Sequence, residues 1–358
     1  MNHYEEKIAA LQKTVDNLRV SMKSIVDEQD GDDSDKDVTY ENDTYFSSYS
    51  HFAIHHEMLS DVARTSAYQK AILQNPDVFK NKIVLDVGCG TGILSMFCAT
   101  AGAQRVVAVD DSDMAFYAMT IVAENKLNQQ IEVFKRKVED LHRDTKFDII
   151  VSEWMGYFLL FEGMLDTVVD ARDNLLKPGG LLLPNRCSVK IAGVADPDLH
   201  KRHVKFWDNV YGYKMSSLKH VCISEAAVEV IPADAVATEP TQIYSVDLMT
   251  CTVESTRVIE SEFSMRCTKQ CVITAIGGWF DSDFDVPPLT HHVTLTTSPF
   301  DVKTHWKQTL FLLRSPIELK ENDCLEGKIT IKRANNNARA LDIKFEFRNG
   351  DVQEFYMN

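Results

Sequence analysis

The feature that most constrains the fold of this chain is a glycine-rich segment that directly follows a short β-branched run. Residues 83–87 read Ile-Val-Leu-Asp-Val, and residues 88–92 read Gly-Cys-Gly-Thr-Gly. A helical pattern of apolar residues begins at Ile93. Glycine adopts backbone conformations that other residues avoid, so this segment can turn sharply from strand to helix and bring a ligand against main-chain amides. It predicts the opening strand, turn and helix of an open α/β sheet.

The alternation of β-branched runs and longer helical patterns continues to about residue 183. The runs lie at residues 83–87, 106–109, 131–134 and 147–151, and the helical patterns include residues 93–101 and 114–125. This rhythm is typical of βαβ units and predicts a largely parallel, doubly wound, Rossmann-like sheet. Pro178-Gly179-Gly180 is predicted to close a helix before a strand at residues 181–183.

The pattern changes after Pro184. Segments that alternate apolar and polar residues follow, at residues 188–191, 292–296, 328–331 and 341–345. Alternation is typical of antiparallel strands that are buried on one face, so we predict a second domain built as a sandwich or barrel. We place the first domain at residues 45–184 and the β-barrel domain at residues 185–358.

An aromatic insertion interrupts the second domain at residues 196–215. It carries a helical pattern together with Phe206, Trp207, Tyr211 and Tyr213. So much aromatic surface is typical of an interface, although packing on the chain's own barrel would also account for it. Composition alone does not decide whether the insertion forms an interface or packs on the chain's own barrel.

Two segments precede the first domain. Residues 1–26 carry apolar residues at alternating steps of three and four, which predicts an amphipathic helix that packs on a partner helix or on its own domain. Residues 27–44 are acidic and contain almost no large apolar side chain, and this composition predicts a flexible linker.

Charge and cysteine usage narrow the classes of function. The formal net charge of −15 argues against direct nucleic-acid binding, which needs basic surface, and is compatible with a cationic polypeptide partner. No apolar run is long enough to span a bilayer, so we expect no membrane association. The eight cysteines lack the spacing of metal ligands. They predict reduced thiols in a cytoplasmic or nuclear protein without a metal site.

The spacing of the three glycines distinguishes between kinds of nucleotide. Dinucleotide-binding turns need Gly-x-Gly-x-x-Gly, and neither Gly88 nor Gly90 begins that pattern. Gly-x-Gly-x-Gly behind Leu-Asp-Val instead resembles the nucleoside-binding turn of S-adenosylmethionine methyltransferases, and Asp86 in that strand strengthens the resemblance. Residues 45–184 are therefore predicted to bind S-adenosylmethionine.

Two carboxylates after later strands are candidate nucleoside ligands. Asp110 ends the second predicted strand 20 residues after Gly90, where an acidic side chain can accept hydrogen bonds from ribose hydroxyls. The alternative is a helix N-cap, and one residue can do both. Glu139 follows the third strand and is placed to reach the adenine amino group, with a solvated loop carboxylate as the alternative.

The end of the fourth predicted strand carries the residues suited to chemistry. Glu153 and Glu162 flank an aromatic loop that contains Gly156. The carboxyl ends of parallel strands face the ligand crevice, so the two carboxylates can converge there. A pair of carboxylates matches the planar fork of a guanidinium, which indicates arginine as the acceptor.

Together these motifs resemble the protein arginine N-methyltransferases. The resemblance covers roughly residue 45 to the C-terminus, and its motifs lie at residues 49–52, 55–59, 64–65, 84–92, 152–162 and 304–308. The loop at residues 152–162 is most similar to that of the type I member that carries an N-terminal zinc finger. No set of Cys and His with metal-ligand spacing precedes Tyr45 in this sequence.

The resemblance implies a role for each matching residue. Glu153 and Glu162 would hold the substrate guanidinium, and His305 would sit beside Asp61 at the active site. The remaining implied contacts are Arg64 with the methionine carboxylate of the cofactor, His55, Asp86, Gly88 and Gly90 lining the cofactor site, Asp110 with ribose, Glu139 with adenine, Met58 and Tyr49 shaping the acceptor pocket, and Trp306 packing the loop. For His305, a structural cap on the barrel is the alternative.

The implied activity is transfer of methyl groups from S-adenosylmethionine to arginine in Arg/Gly-rich proteins, giving monomethylarginine and asymmetric dimethylarginine. The implied assembly is a homodimer with residues 196–215 as its arm. Two alternatives are a catalytically silent scaffold of the same fold and a small-molecule methyltransferase. A scaffold would not need Glu153, Glu162 and Arg64, and a small-molecule enzyme gives no reason for two converging glutamates.

Overall fold

A computed structural model describes residues 52–335 and 337–358 of the chain. The predicted helix at residues 1–26, the predicted linker at residues 27–44 and the acceptor-pocket candidate Tyr49 lie outside the described residues. Within the described ranges, none of the helices is both long enough and apolar enough to cross a membrane.

The chain alternates helices and strands up to Leu183 and is mostly strand afterwards. The helices are α1 (Phe52–Ser60), α2 (Val62–Leu73), α3 (Pro76–Phe79), α4 (Ile93–Thr100), α5 (Met114–Glu124), α6 (Leu165–Leu175), α7 (Leu199–His203) and α8 (Lys219–Ser224). Short 3-10 turns lie at Val138–Asp140, Lys205–Asp208, Ser216–Leu218, Ala233–Ala235 and Glu254–Thr256. The strands are β1 (Ile83–Val87), β2 (Arg105–Asp110), β3 (Ile131–Lys135), β4 (Phe147–Ser152), β5 (Leu176–Leu183), β6 (Arg186–Val194), β7 (Ala227–Glu229), β8 (Thr241–Asp247), β9 (Val258–Arg266), β10 (Cys271–Phe284), β11 (Val293–Thr296), β12 (Gln308–Leu319), β13 (Cys324–Arg333), β14 (Leu341–Phe347) and β15 (Val352–Met357).

The first five strands form one parallel sheet in the order β3-β2-β1-β4-β5. Val84 of β1 pairs with Val106 of β2 on one side and with Ile149 of β4 on the other. Both β1 and β4 are almost entirely buried, which explains why their sequences read as continuous apolar runs. The strand order reverses between β1 and β4, and this reversal opens a crevice at their carboxyl ends. The predicted Rossmann-like sheet is confirmed.

The later strands form two antiparallel sheets. One sheet has the order β7-β12-β10-β6-β8 with β11 added to β10, and the other has the order β15-β14-β13-β9. Phe311 of the first sheet lies 5.2 Å from both Phe345 and Phe355 of the second, measured between ring centroids. The two sheets therefore face each other across an aromatic core. The predicted antiparallel β-barrel domain after the Rossmann-like sheet is confirmed.

The segment around Pro178-Gly179-Gly180 differs from the prediction. β5 begins at Leu176, directly after α6, and its register with β4 is irregular near its start. A Cβ on Gly180 would lie 2.9 Å from the carbonyl oxygen of Asp148. Glycine therefore lets an irregular strand approach β4 closely at the point where the sequence predicted a turn that closes a helix.

The aromatic insertion at residues 196–215 begins on the barrel and ends in solvent. Leu199 is buried in a small apolar cluster that includes Leu310 of β12. Further along, the side chains of Tyr211 and Tyr213 are 98% and 72% exposed. Packing on the chain's own barrel therefore accounts for the base of the insertion and leaves its aromatic tip uncovered.

Candidate active site

The glycine-rich turn after β1 has the backbone conformation that its sequence predicts. Gly88, Gly90 and Gly92 have φ values of +71°, +52° and +80°, which other residues rarely adopt. A Cβ on Gly88 would lie 2.4 Å from Cε of Met164, and a Cβ on Gly90 would lie 3.3 Å from the imidazole of His55. The turn is therefore closely covered by side chains from α1 and from the start of α6, and a side chain at either glycine would have to displace them.

Asp86 lies near the end of β1, two residues before the first glycine of this turn. Its side chain is fully buried, and Oδ2 accepts a hydrogen bond from the hydroxyl of Ser95 at 2.6 Å. Burial raises the pKa of Asp86 to about 7, and the nearby charge of Asp110 adds to that rise while the Ser95 hydrogen bond opposes it. The sequence grouped Asp86 with the cofactor ligands. That assignment stays a prediction, and the structure shows the carboxyl buried against the first turn of α4, where Ser95 lies.

Asp110 holds the turn from the end of β2. Its Oδ2 accepts a hydrogen bond from the backbone N–H of Gly90 at 2.8 Å. Its Oδ1 accepts from the backbone N–H and the hydroxyl of Ser112 at 2.8 and 2.6 Å. The N-cap of α5 is Asp113, so Asp110 braces the segment before the helix, and its Oδ2 keeps a lone pair that can accept from a ribose hydroxyl.

Glu139 is brought to the same edge of the sheet. It is exposed in the turn Val138–Asp140, and its Oε1 accepts a hydrogen bond from the hydroxyl of Thr167 at 3.0 Å. Thr167 lies on α6, three residues after the Met164 side chain that covers Gly88. Glu139, the residue predicted to bind adenine, therefore lies close to the glycine-rich turn.

The double-glutamate loop, residues 153–163, is tightly wound at the carboxyl end of β4. The backbone N–H of Gly156 donates to the carbonyl of Leu159 at 3.0 Å, and the N–H of Leu159 donates back to Gly156 at 3.1 Å. Phe158, Leu159 and Glu162 have φ values of +50°, +70° and +76°. Such values cost roughly 1–2 kcal/mol for each residue other than glycine. They persist only where surrounding contacts hold the backbone in place.

Three side-chain donors fasten the first half of this loop. The hydroxyl of Ser152 donates to the carbonyl of Val87 at 2.8 Å, and Tyr68 donates to the carbonyl of Ser152 at 2.9 Å. Nε1 of Trp306, which the resemblance placed against the loop, donates to the carbonyl of Met155 at 2.8 Å. The loop is thus tied to β1, to α2 and to the barrel at once.

Glu153 forms a buried ion pair with Arg64. Nε of Arg64 donates to Oε2 of Glu153 at 2.8 Å, Nη2 lies 2.6 Å from the same oxygen, and the two side chains are 9% and 7% exposed. Nη1 of Arg64 also donates to the backbone carbonyl of Met58 at 3.3 Å. Oε1 of Glu153 is buried, and in the described part of the chain it has no hydrogen-bond partner. A buried acceptor without a partner is costly, so Glu153 keeps capacity for a donor from outside the chain.

Glu162 lies at the other end of the loop and is half-buried. Burial raises the pKa of Tyr157, and the negative charges of Glu57 and Glu162 raise it further. The charge of Glu162 therefore acts on the hydroxyl of Tyr157 in the same loop.

Asp61 connects the start of α2 to the barrel. Its Oδ1 accepts a hydrogen bond from the backbone N–H of Arg64 at 2.9 Å. Its Oδ2 accepts from the backbone N–H of His305 at 2.8 Å and lies 2.8 Å from Nδ1 of that residue. Burial acts to raise the pKa of Asp61, but the hydrogen bonds from His305 and Arg64 outweigh it and hold the pKa below its ordinary value. Asp61 is therefore a charged carboxylate that fixes His305 to the first domain.

Known proteins share this combination of sheet, turn and barrel. Residues 185–352 match the family described as the arginine methyltransferase oligomerization subdomain, and residues 67–183 match the family described as ribosomal protein L11 methyltransferase. Protein arginine N-methyltransferase 1 of Schizosaccharomyces pombe is 44% identical over 306 residues, which are 85% of this chain and 89% of that protein. Protein arginine N-methyltransferase 1 of Chlamydomonas reinhardtii is 42% identical over 319 residues, 87% of this chain and 91% of that protein. The chain belongs to the protein arginine N-methyltransferase family.

Solved structures of other arginine methyltransferases superpose on this one. The Trypanosoma brucei PRMT1 enzyme–prozyme heterotetrameric complex with AdoHcy matches with a TM-score of 0.83 and 36% identity, over 87% of this chain and 100% of that chain. Arabidopsis thaliana protein arginine methyltransferase 10 matches with a TM-score of 0.78 and 30% identity, over 88% of this chain and 100% of that chain. The family resemblance is confirmed, and the narrower resemblance to the zinc-finger member stays a prediction.

The structure of this arginine methyltransferase gathers the sequence-predicted residues into two neighbouring groups. The first surrounds the glycine-rich turn and contains His55, Gly88, Gly90, Asp110 and Glu139. The second surrounds the buried ion pair and contains Met58, Asp61, Arg64, Glu153, His305 and Trp306. Arg64 was predicted to serve the cofactor and Glu153 the acceptor, yet the two residues contact each other directly. The sites predicted for the cofactor and for the acceptor therefore share a wall.

Three supporting residues escaped the sequence analysis. Ser95 and Tyr68 lie on helices and read as ordinary members of helical patterns, although Tyr68 is one helical turn beyond Arg64. Met164 follows the double-glutamate loop and reads as an apolar core residue, yet its side chain covers Gly88. Of the three, only Tyr68 could have been found from the sequence, because it is one helical turn from Arg64 and so shares a helix face with that predicted site residue.

Proposed function

We propose that this chain transfers methyl groups from S-adenosylmethionine to the guanidinium groups of arginine side chains in proteins. The observation that carries the proposal is the unpartnered, buried Oε1 of Glu153 beside the glycine-rich turn. Val87 and Ser152 pair in adjacent strands, so a ligand on the turn and a cation at Glu153 would be neighbours. That adjacency is what group transfer between two bound molecules requires.

The residues around the turn fit S-adenosylmethionine. The left-handed glycines leave no side chain between the backbone and a ligand, and the charged groups nearby are chemically suited to its parts. Asp110 would hold the ribose hydroxyls, Glu139 the adenine amino group and Arg64 the methionine carboxylate. When bound, S-adenosylmethionine supplies a methyl group on a sulfonium centre, which is open to direct displacement.

Glu153 and Glu162 would prepare the acceptor. The pKa of the arginine side chain lies far above neutral pH, so arginine arrives protonated and is a poor nucleophile. Two carboxylates that bind the guanidinium would concentrate electron density on one terminal nitrogen and align that nitrogen with the methyl group. The neighbouring Met58 would limit the space around the acceptor.

Proton removal needs no strong base. Attack makes the acceptor nitrogen far more acidic, so the proton leaves after methyl transfer. A glutamate of the loop, or His305 oriented by Asp61, would relay it to solvent. The lowered pKa of Asp61 supports this role, because it keeps a negative charge next to the imidazole.

The test uses the full chain, isotopically labelled S-adenosylmethionine and an Arg/Gly-rich peptide. We expect label in the peptide, with monomethylarginine and asymmetric dimethylarginine resolved by mass spectrometry. A matched peptide with lysine at each arginine position should accept no label. Cofactor binding without transfer would instead support the catalytically silent scaffold, and symmetric product would contradict the type I assignment.

We further propose that the chain forms a homodimer through the tip of the aromatic insertion. Tyr211 and Tyr213 are 98% and 72% exposed there, and α5 of the first domain exposes Phe116 and Tyr117 at 48% and 59%. Two exposed aromatic patches on one chain can cover each other reciprocally in a symmetric pair of copies. The match of residues 185–352 to an oligomerization subdomain supports this assembly.

Sedimentation of a tip variant tests the dimer. Replacing Tyr211 and Tyr213 by serine should give monomers, as should deletion of residues 196–215. Phe300→Ser, at a 54% exposed aromatic outside the insertion, is the matched control and should leave the assembly unchanged. An unchanged oligomer in both tip variants would reject the arm assignment.

We also propose a cytoplasmic or nuclear location. All eight cysteines are free thiols in the structure, and most are buried, which is usual in a reducing compartment. Imaging of a tagged full-length protein would test this proposal, and secretion of the tagged protein would contradict it.

A further inference from the structure

The catalytic end of the double-glutamate loop is held by a barrel residue that belongs to none of the motifs above. We propose that Arg339, between β13 and β14, is a positioning residue that holds Glu162 in the geometry needed for methyl transfer. This inference rests on the proposed function, because it concerns the same acceptor site.

Arg339 contacts both peptide groups that flank Glu162. The backbone N–H of Glu162 donates to the carbonyl of Arg339 at 2.8 Å. Nη1 of Arg339 donates to the carbonyl of Glu162, also at 2.8 Å. The first contact holds the peptide plane before Cα, and the second holds the peptide plane after it. Together they fix both backbone torsions of Glu162, and so they fix the direction of its Cα–Cβ bond.

Glu162 needs such support because its backbone is strained. Its φ of +76° lies in the left-handed region, which residues other than glycine rarely adopt because Cβ crowds the following carbonyl oxygen. Without the clamp, relaxation to a negative φ would redirect the side chain and move the carboxylate away from the acceptor. The hydrogen bond from a charged guanidinium is stronger than one from a neutral donor, and this suits it to opposing the strain.

The clamp is distinct from the general docking of the same hairpin. Nη2 of Arg333 donates to Oδ1 of Asp166 at 2.6 Å and so attaches the end of β13 to α6. A Cβ on Gly163 would lie 3.1 Å from the carbonyl oxygen of Ala338, which shows how closely the hairpin packs against the loop. Loss of the Arg333 contact would loosen the hairpin, whereas loss of the Arg339 side chain would release the carbonyl of Glu162 in particular.

The experiment compares the wild type with Arg339→Ala and Arg339→Lys, using an Arg/Gly-rich peptide as substrate. We expect kcat of Arg339→Ala to fall about 10- to 100-fold, because small displacements of a catalytic group have effects of that size. The Kd for S-adenosylhomocysteine should stay within about twofold, because the glycine-rich turn is held by other residues. Arg339→Lys should recover part of kcat, since an ammonium can still donate to the carbonyl of Glu162.

Two variants separate positioning from stability. Arg333→Ala should lower the thermal unfolding temperature while keeping most of kcat. Arg348→Ala, which breaks an exposed ion pair with Glu326 in the same sheet, should change neither quantity. Equal losses of kcat in Arg339→Ala and Arg333→Ala, accompanied by weaker S-adenosylhomocysteine binding, would overturn the proposal. An unchanged kcat in Arg339→Ala would also overturn it.

Hydrogen exchange gives a readout that does not depend on turnover. The amide of Glu162 donates to the backbone carbonyl at position 339, which alanine keeps. We expect this amide to exchange faster in Arg339→Ala, because loss of the side-chain contact lets the strained residue relax away from that carbonyl, while amides of β1 keep their protection. Unchanged exchange at Glu162 would contradict the clamp even in a variant with low activity. If the wild type binds S-adenosylhomocysteine but methylates no peptide, the proposed function fails, and the exchange result still decides whether Arg339 holds the loop.

Discussion

The glycine-rich turn after β1 and the double-glutamate loop after β4 lie side by side at the ends of two paired strands, but they are held differently. The turn places its left-handed backbone at glycines, where it costs little, and it donates a hydrogen bond to Asp110 within the first domain. The loop places left-handed backbone at Phe158, Leu159 and Glu162, and the barrel supplies part of its support. The cofactor half of the site is therefore locally encoded, and the acceptor half depends on the contact between domains.

The same contrast holds for two buried carboxylates. Asp86 in β1 and Glu153 in the loop each have one oxygen without a hydrogen-bond partner among residues 52–335 and 337–358. Asp86 has no cation within hydrogen-bonding reach in that part of the chain, and burial raises its pKa to about 7, so it is largely neutral below that pH. Glu153 is paired with Arg64, and its other oxygen has no partner in that part of the chain. The two buried carboxyls therefore differ in whether a cation accompanies them.

The largest effect is expected from Glu162→Gln. This change keeps the shape of the side chain but removes the negative charge that would polarise the guanidinium, so kcat should fall at least about 100-fold. The Kd for S-adenosylhomocysteine should barely change, because Glu162 belongs to the acceptor half. Calorimetry and peptide methylation measure the two quantities, with exposed Glu124→Gln on α5 as the control. If the Glu162→Gln variant is folded but no longer binds S-adenosylhomocysteine, the distinction between the cofactor half and the acceptor half is wrong.

Arg64→Ala should affect both halves, because Arg64 is part of their shared wall. Without its cation, the Glu153 carboxylate is left buried and unpaired, and the free energy of unfolding should fall by about 3–5 kcal/mol. Binding of S-adenosylhomocysteine should weaken as well. Arg105→Ala breaks a pair with Glu132 whose side chains are 44% and 46% exposed, so that control should cost less than about 1 kcal/mol in denaturant unfolding. Equal effects of the two variants would show that burial of the Glu153 pair has no energetic consequence.

The pH dependence of the stability of Asp86→Asn tests the difference between the carboxyls of Asp86 and Glu153. The folded-state pKa of Asp86 is about 7, whereas an unfolded Asp ionises near pH 4. The stability that this group contributes is therefore complete below about pH 4 and is lost as the pH rises to about 7. An asparagine does not ionise, so from about pH 5 to about pH 8 the stability of the variant should rise relative to the wild type by about 2–3 kcal/mol. Exposed Asp301→Asn should show no such trend, and a flat difference for Asp86→Asn would contradict a neutral buried carboxyl.

The sequence was sufficient where a contact joins residues that are close along the chain or belong to one motif. For that reason the sequence was enough to predict the turn at residues 88–92, the order of alternating elements up to β5 and the pairing of Glu153 with Glu162. The clamp on Glu162 was not, because Arg339 lies 177 residues away and its neighbours carry no chemical pattern. The strand that starts at Leu176 was missed because a Pro-Gly-Gly sequence normally ends an element, whereas tertiary packing on β4 overrides that tendency here.

The smallest expected effect on stability is that of Asp61→Asn, which tests the contact of Asp61 with His305 between the two domains. Its lowered pKa means that Asp61 contributes stability above the unfolded pKa of about 4, and this contribution is lost as the pH falls through the folded pKa. Asp61→Asn should therefore lower the free energy of unfolding by about 1 kcal/mol near neutral pH, and this difference from the wild type should disappear in acid.

His305→Ala tests the partner of Asp61. The backbone N–H of residue 305 still donates to Asp61 in this variant, so stability should change less than turnover, which should fall about 10-fold or more. If stability instead falls more than turnover, His305 is a structural cap, and the barrel supports the acceptor half without taking part in its chemistry.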